Sequence, residues 1–208
     1  MRTMLASACF LLLSTPALAD QPAGFVPLFD GKTFAGWEGD QKVFRVEEGA
    51  IVGGSLQRPL PKNEFLATTK QYGDFELRLK FKLLGPEANG GVQIRSQRVP
   101  QSTEMIGYQA DMGQRYWGTL YDESRRKKTL AGPTMAEQSK FIHYEDWNDY
   151  RILCQGRRIQ LWVNDTLTVD YTERDASLSQ RGLIGLQIHG GGPTEAWYKE
   201  IMIREISH

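Results

Sequence analysis

Residues Asp74-Phe75-Glu76-Leu77-Arg78-Leu79-Lys80-Phe81-Lys82 alternate charged and apolar without a break. Successive side chains of a strand point to opposite faces, so this run predicts a strand with one face in a core and a charged face in water. A helix would scatter the same apolar residues around its circumference. Other segments follow the same period. Tyr150–Cys154 and Ile159–Val163 flank Gly156-Arg157 and read as a hairpin, and Asn164-Asp165 turns into a further strand at Leu167–Tyr171. Gly182–His189 and Trp197–Ile206 supply two more, and Phe44–Ile51 another, with the turn Glu47-Glu48-Gly49 inside it. Short helical turns are expected only at 63–68 and 175–180. Many short strands separated by glycine-rich turns, in a chain with 21 glycines, predict an all-β sandwich or jelly roll. The polar stretch 114–144 alternates poorly and reads as a long loop, of the kind that is usually either functional or disordered.

The first nineteen residues read as an export signal. Arg2 precedes the apolar run Leu5–Leu13, and Thr15-Pro16-Ala17-Leu18-Ala19 ends in an Ala-x-Ala site for cleavage after Ala19. That run is too short to span a bilayer, so the mature protein is not expected to be integral to a membrane. Residues 20–208 then form one domain with a sizeable core. Removing the signal takes Cys9 with it and leaves Cys154 without a disulfide partner. The 25 basic and 25 acidic residues balance, which argues against a nucleic-acid partner.

Three strands carry an unusual polar face. Gln93 and Arg95 share one side of Val92–Arg95, Gln109 and Asp111 one side of Tyr108–Asp111, and Gln187 and His189 one side of Leu186–His189. Planar, directional hydrogen-bonding groups stand where lysine and glutamate are usual. Side by side, the strands would present a polar concave face suited to sugar hydroxyls, with Tyr108, Trp117 and Tyr121 offering aromatic contact. Asp122-Glu123-Ser124-Arg125-Arg126 reads either as a solvated charge run or as a loop folded over that face, with Arg125 available to a substrate. No Gly-x-Ser-x-Gly elbow, His-Glu-x-x-His, CxxC or phosphate loop occurs. No cofactor is expected; Glu145-Asp146 is acidic, but no ligand spacing supports calcium or another metal.

Phe29-Asp30-Gly31-Lys32-Thr33-Phe34-Ala35-Gly36-Trp37 resembles the opening of the 3-keto-disaccharide hydrolase family, also described as 3-keto-glucoside lyase-hydratases. The likeness continues through Gly73–Leu77, Asn89–Arg95, Gly107-Tyr108, Trp147-Asn148, Trp162–Asn164 and Gly185–Gly190. It implies a concanavalin A-like jelly-roll sandwich of two antiparallel sheets acting on small or oligomeric glycosides already oxidised at C3. Such a ketone acidifies the C2 proton, so cleavage can proceed by hydrolysis or by elimination and hydration. The reaction needs a base, a donor for the enolate oxygen and an acid for the leaving oxygen. On this resemblance His189 or Asp111 is the base, Arg95 the enolate stabiliser and Glu123 the acid, with Gln93, Gln109, Gln187 and Tyr108 orienting hydroxyls. Many relatives carry Glu at position 109 and Gln at 111; here the carboxylate is displaced by two residues and keeps its face. The rival expectation is a lectin-like envelope module that binds sugar without acid–base chemistry.

Overall fold

A computed structural model describes residues 23–207; the expected export signal lies outside them. Among these described residues fifteen strands, numbered in chain order, form two antiparallel sheets. The first contains, in spatial order, β13 (Thr166–Thr172), β12 (Arg158–Val163), β11 (Asn148–Gln155), β6 (Phe75–Leu84), β15 (Thr194–Glu205), β4 (Ala50–Ser55) and β3 (Phe44–Glu47), with β1 (Val26–Pro27) also paired to β15. The second runs β10 (Lys128–Ala131), β9 (Leu120–Glu123), β8 (Met105–Gly113), β7 (Asn89–Arg98), β14 (Leu183–Ile188), β5 (Glu64–Thr68) and β2 (Trp37–Glu38). A four-residue helix, α1 (Met135–Gln138), is the sole α-helix among the described residues. The all-β sandwich is as expected, and no described helix is long and apolar enough to cross a membrane.

The alternating run becomes the centre of the first sheet. Leu77, Leu79 and Phe81 of β6 enter the core with Tyr150, Ile152 and Cys154 of β11. From the second sheet Val92, Ile94, Tyr108, Ala110, Met112, Leu186 and Ile188 face them. Burial of a large apolar side chain stabilises by roughly 1.5–3 kcal/mol, and this single cluster spans both sheets. Burial also pushes the Cys154 thiol up to about 12.

Several local expectations change. Residues 63–68 contain no helical turn: Glu64–Thr68 is strand β5, buried along its whole length because both of its faces are covered, so no alternation marks it. Residues 175–180 form turns rather than a helix. The stretch 114–144 contains three short elements, β9, β10 and α1, joined by turns and loops. Trp117 does not face a sugar site; it stacks on Phe81 (centroids 6.1 Å apart) and helps fill the core. Tyr108 is likewise in the core, with its hydroxyl donating to Glu173 Oε2 at 2.7 Å.

Arg95 departs furthest from its expected position. The β7–β8 register shifts between Ile94 and Gln97, and Arg95 takes the left-handed backbone (φ +49°). A bulge of this kind re-aims a side chain. Instead of joining Gln93, Arg95 donates to Gly73 O (2.8 Å), Gly156 O (2.6 Å), Gln180 Oε1 (2.8 Å) and Asp74 Oδ1 (2.7 Å), with no exposed side-chain surface. Asp74 in turn accepts from Gly156 N–H at 2.7 Å, so the pair joins both sheets at one end of the sandwich. Arg95→Met, which leaves the partners of a buried charge uncompensated, is expected to cost ~3–5 kcal/mol in urea denaturation. Combining it with Asp74→Asn should recover part of that loss.

Candidate functional site

The outer face of the second sheet carries the polar side chains read from the sequence, less Arg95 and Tyr108. Gln93, Gln109 and Gln187 come from three adjacent strands and form an amide ladder. Gln93 Nε2 donates to Gln109 Oε1 at 2.7 Å, and Gln109 Nε2 to Gln187 Oε1 at 3.2 Å. Ser96, brought to this face by the bulge, donates from Oγ to Gln93 Oε1 at 2.5 Å. Gly91 makes the ladder possible: a Cβ there would stand 2.7 Å from Gln109 Cδ and Cγ. The ladder ends on Gln187 Nε2, a buried amide nitrogen with no hydrogen-bond partner among the described residues.

The β7–β8 hairpin covers one side of this face. Met105 Sδ occupies the space above Gly185, 2.5 Å from where a Cβ would be, and joins Phe65, Ala67 and Leu183 in a small apolar cluster separate from the main core. Arg98 anchors the hairpin by donating to Phe65 O (3.2 Å) and Glu38 O (2.7 Å). This cover explains why the ladder is buried although it lies outside the sandwich.

Beside the ladder runs a row of carboxyls. Asp111 stands opposite Gly91, and Glu123 opposite Gly107. Burial pushes the Asp111 carboxyl well above its usual range; the Met112 N–H, donating to Oδ1 at 2.9 Å, opposes the shift and the Glu123 charge adds to it. Burial also raises Glu123, with a further push from Glu104, while His189 acts the other way. Glu104 continues the row toward Glu64, which burial raises too. Glu104 Oε2 is buried and unpartnered among the described residues.

His189 directly follows β14 at the rim, exposed, beside a cleft of about 330 Å³ lined also by Asn89, Gln114 and Gly190. Its Nδ1 lies 2.6 Å from Gly190 O. A carbonyl oxygen only accepts, so Nδ1 carries a proton and the neutral ring presents Nε2 as its lone pair. Tyr121, opposite Gln109 and half-buried, packs edge-on against Tyr116 at 6.1 Å.

The structure brings Asp111, Glu123, Gln93, Gln109, Gln187 and Tyr121 to one face of the second sheet, with His189 at its rim. Expectation and geometry part on Arg95, Tyr108, Trp117 and Arg125. Arg125 turns toward Asp122 (Nε to Oδ1, 2.9 Å) and lies 4.6 Å from the Tyr108 ring, because strand alternation places Asp122 and Tyr108 on the inner face. Glu104, Asn89 and Tyr116 were not singled out. No local pattern in 99–104 marks Glu104 as a residue of this face. Among the described residues no three His, Cys, Asp or Glu side chains are placed to hold a metal ion.

Residues 24–204 match the 3-keto-alpha-glucoside-1,2-lyase-like domain. The chain belongs to this family. Among solved structures it is similar to a Parabacteroides distasonis protein called a "putative glycosyl hydrolase", with 20% identity, a TM-score of 0.67, and coverage of 88% of this chain and 94% of that one. It is also similar to the carbohydrate-binding module CBM66 from Bacillus subtilis, with 15% identity, a TM-score of 0.64, and coverage of 82% and 96%. At these identities the likeness is one of fold. No curated protein gives a significant match.

Family membership directs attention to acid–base groups, and among them burial holds Asp111 above its usual range. A carboxyl raised in the folded state contributes stability that is complete below its unfolded pKa and is lost as pH rises. Asp111→Asn mimics the neutral form. At pH 7.5 it should melt at least ~2 °C above the parent, the gap closing below pH ~4, as followed by calorimetry.

Proposed function

We propose that this chain is an exported enzyme that cleaves 3-keto-glycosides by elimination followed by hydration. The family supports the substrate class, and the Ala-x-Ala segment before residue 20 supports export. The observation that carries the chemistry is His189, exposed at the rim with its Nδ1 committed to Gly190 O, on the sheet whose outer face also holds the buried, raised carboxyl of Glu123.

His189 Nε2 takes the C2 proton, which the adjacent ketone has acidified. The C2 electron pair closes the C1–C2 double bond while the C1–O bond breaks. The raised carboxyl of Glu123 delivers a proton to the departing oxygen. Water then adds across the new double bond and yields the free 3-keto sugar. With Arg95 locked at the far end of the sheet, charge developing on the C3 oxygen falls to the amide groups of this face. Gln187 Nε2 is the ladder nitrogen with no partner among the described residues, though it is buried and donates only to a group that enters the site. Asp111 lies deeper, 4% exposed. After burial itself, it is the charge of Glu104 that favours the protonated acid at Glu123.

Purified protein incubated with a 3-keto-disaccharide in deuterated water is expected to release product carrying deuterium at C2. His189→Ala and Glu123→Gln should each lower kcat/KM by ~10²–10⁴-fold. Binding without product, equal in both variants, would replace the enzyme with a sugar-binding module. Turnover without deuterium at C2 would replace elimination with direct hydrolysis.

A further inference from the structure

The outer face of the first sheet holds a second constellation that the proposed chemistry does not use. Glu76, which the alternating sequence places on an ordinary wet face, is 1% exposed. Three arginines from three neighbouring strands cover it. Arg78 Nε (2.9 Å) and Arg151 Nε (2.7 Å) donate to Oε1, and Arg204 Nη2 (2.7 Å) donates to Oε2. Arg78 stands directly opposite Arg151 in the β6–β11 register, a like-charge pairing that sheets normally avoid. One carboxylate against three guanidiniums leaves a surplus of two positive charges (3 − 1 = 2).

The guanidinium groups have donors to spare. Each carries five N–H bonds. Arg78 Nη1 and both Nη atoms of Arg151 make no hydrogen bond to another described residue. Arg78, Arg151 and Arg204 are each about two-fifths exposed, unlike the carboxylate beneath them. Packing fixes their planes, with Arg78 4.7 Å from the Phe25 ring and Arg151 4.1 Å from that of Trp162.

Arg78 and Arg151 line one end of a groove of about 550 Å³. Its other end carries Lys80 among Asp149, Asp165 and Glu200, a deficit of two charges (1 − 3 = −2). The groove is therefore polarised along its length. A polyanion would be attracted by one end and repelled by the other. A ligand with one oxyanion and a train of hydroxyls matches both ends: the oxyanion takes the free guanidinium donors, and the hydroxyls donate to the carboxylates.

We infer that this groove is a second saccharide site, on the sheet opposite the proposed reaction face, and that it takes a singly charged sugar acid of the uronate class. The site stands independently of the proposed chemistry, and its failure would leave that proposal untouched.

The test is a titration of the whole protein with glucuronate, glucose and inorganic sulfate, following the Trp162 indole N–H resonance. Glucuronate is expected to shift that resonance saturably, and glucose at equal concentration is not. Arg151→Gln should weaken glucuronate at least ~10-fold, since it removes a charge-assisted fork while Glu76 keeps two arginines. If that variant melts early, Arg151→Lys is read instead; it keeps the charge, gives up the fork, and should still lose at least ~3-fold. The pair His189→Ala and Glu123→Gln should leave the titration unchanged. Sulfate matching glucuronate would reduce the site to a bare oxyanion contact and overturn the saccharide assignment. Glucose matching glucuronate, no saturable shift, or Arg151 variants that bind like the parent would overturn the site itself.

Discussion

The β7 bulge at Arg95 organises both ends of the molecule. It sends a long cationic side chain to one end of the sandwich, where a buried pair with Asp74 and three carbonyl-type acceptors tie the sheets together. It also resets the alternation so that Ser96 follows Gln93 onto the outer face. Without that reset the amide ladder would lack its terminal donor, and the hairpin beyond it would leave the strand in another direction. One residue of extra backbone thus separates a stabilising charge network from a recognition surface.

That surface departs from what stability alone would choose. Three glutamines lie buried in a row, and the last has an amide nitrogen without a partner among the described residues, a state that costs about 1–3 kcal/mol. Neighbouring carboxyls are held above their usual range by burial and by one another. Local rules are broken most often where a protein must act on something else. The breaches here cluster on one patch beside an exposed histidine with an assigned tautomer, and that concentration connects the fold to acid–base chemistry.

Period-two patterning was legible because it is local. It located β6, β11, β12, β14 and β15, and it placed Gln93, Gln109, Asp111 and Gln187 on one face. It failed wherever a strand was covered on both sides, as at Glu64–Thr68, or where the register slipped, as at Arg95. Aromatic residues misled for a different reason. Tyr108 and Trp117 have a polar handle on a large apolar body, and sequence does not say which half a fold will use. Glu104 came from a hairpin tip whose path depends on distant carbonyls at Phe65 and Glu38. No pattern within its own segment encodes that path.

Glu76 gives the first sheet a seam with its own chemistry. Burial pushes its carboxyl up, yet the Arg151 and Arg78 hydrogen bonds more than reverse this and hold it below the usual range. Its contribution is present above the unfolded carboxyl pKa and fades as pH falls through the lower folded value. When it is protonated, three like charges on the adjacent strands β6, β11 and β15 lose the anion between them. Acid would then act on this protein like a zip pulled from the middle, parting the central strands before the edges.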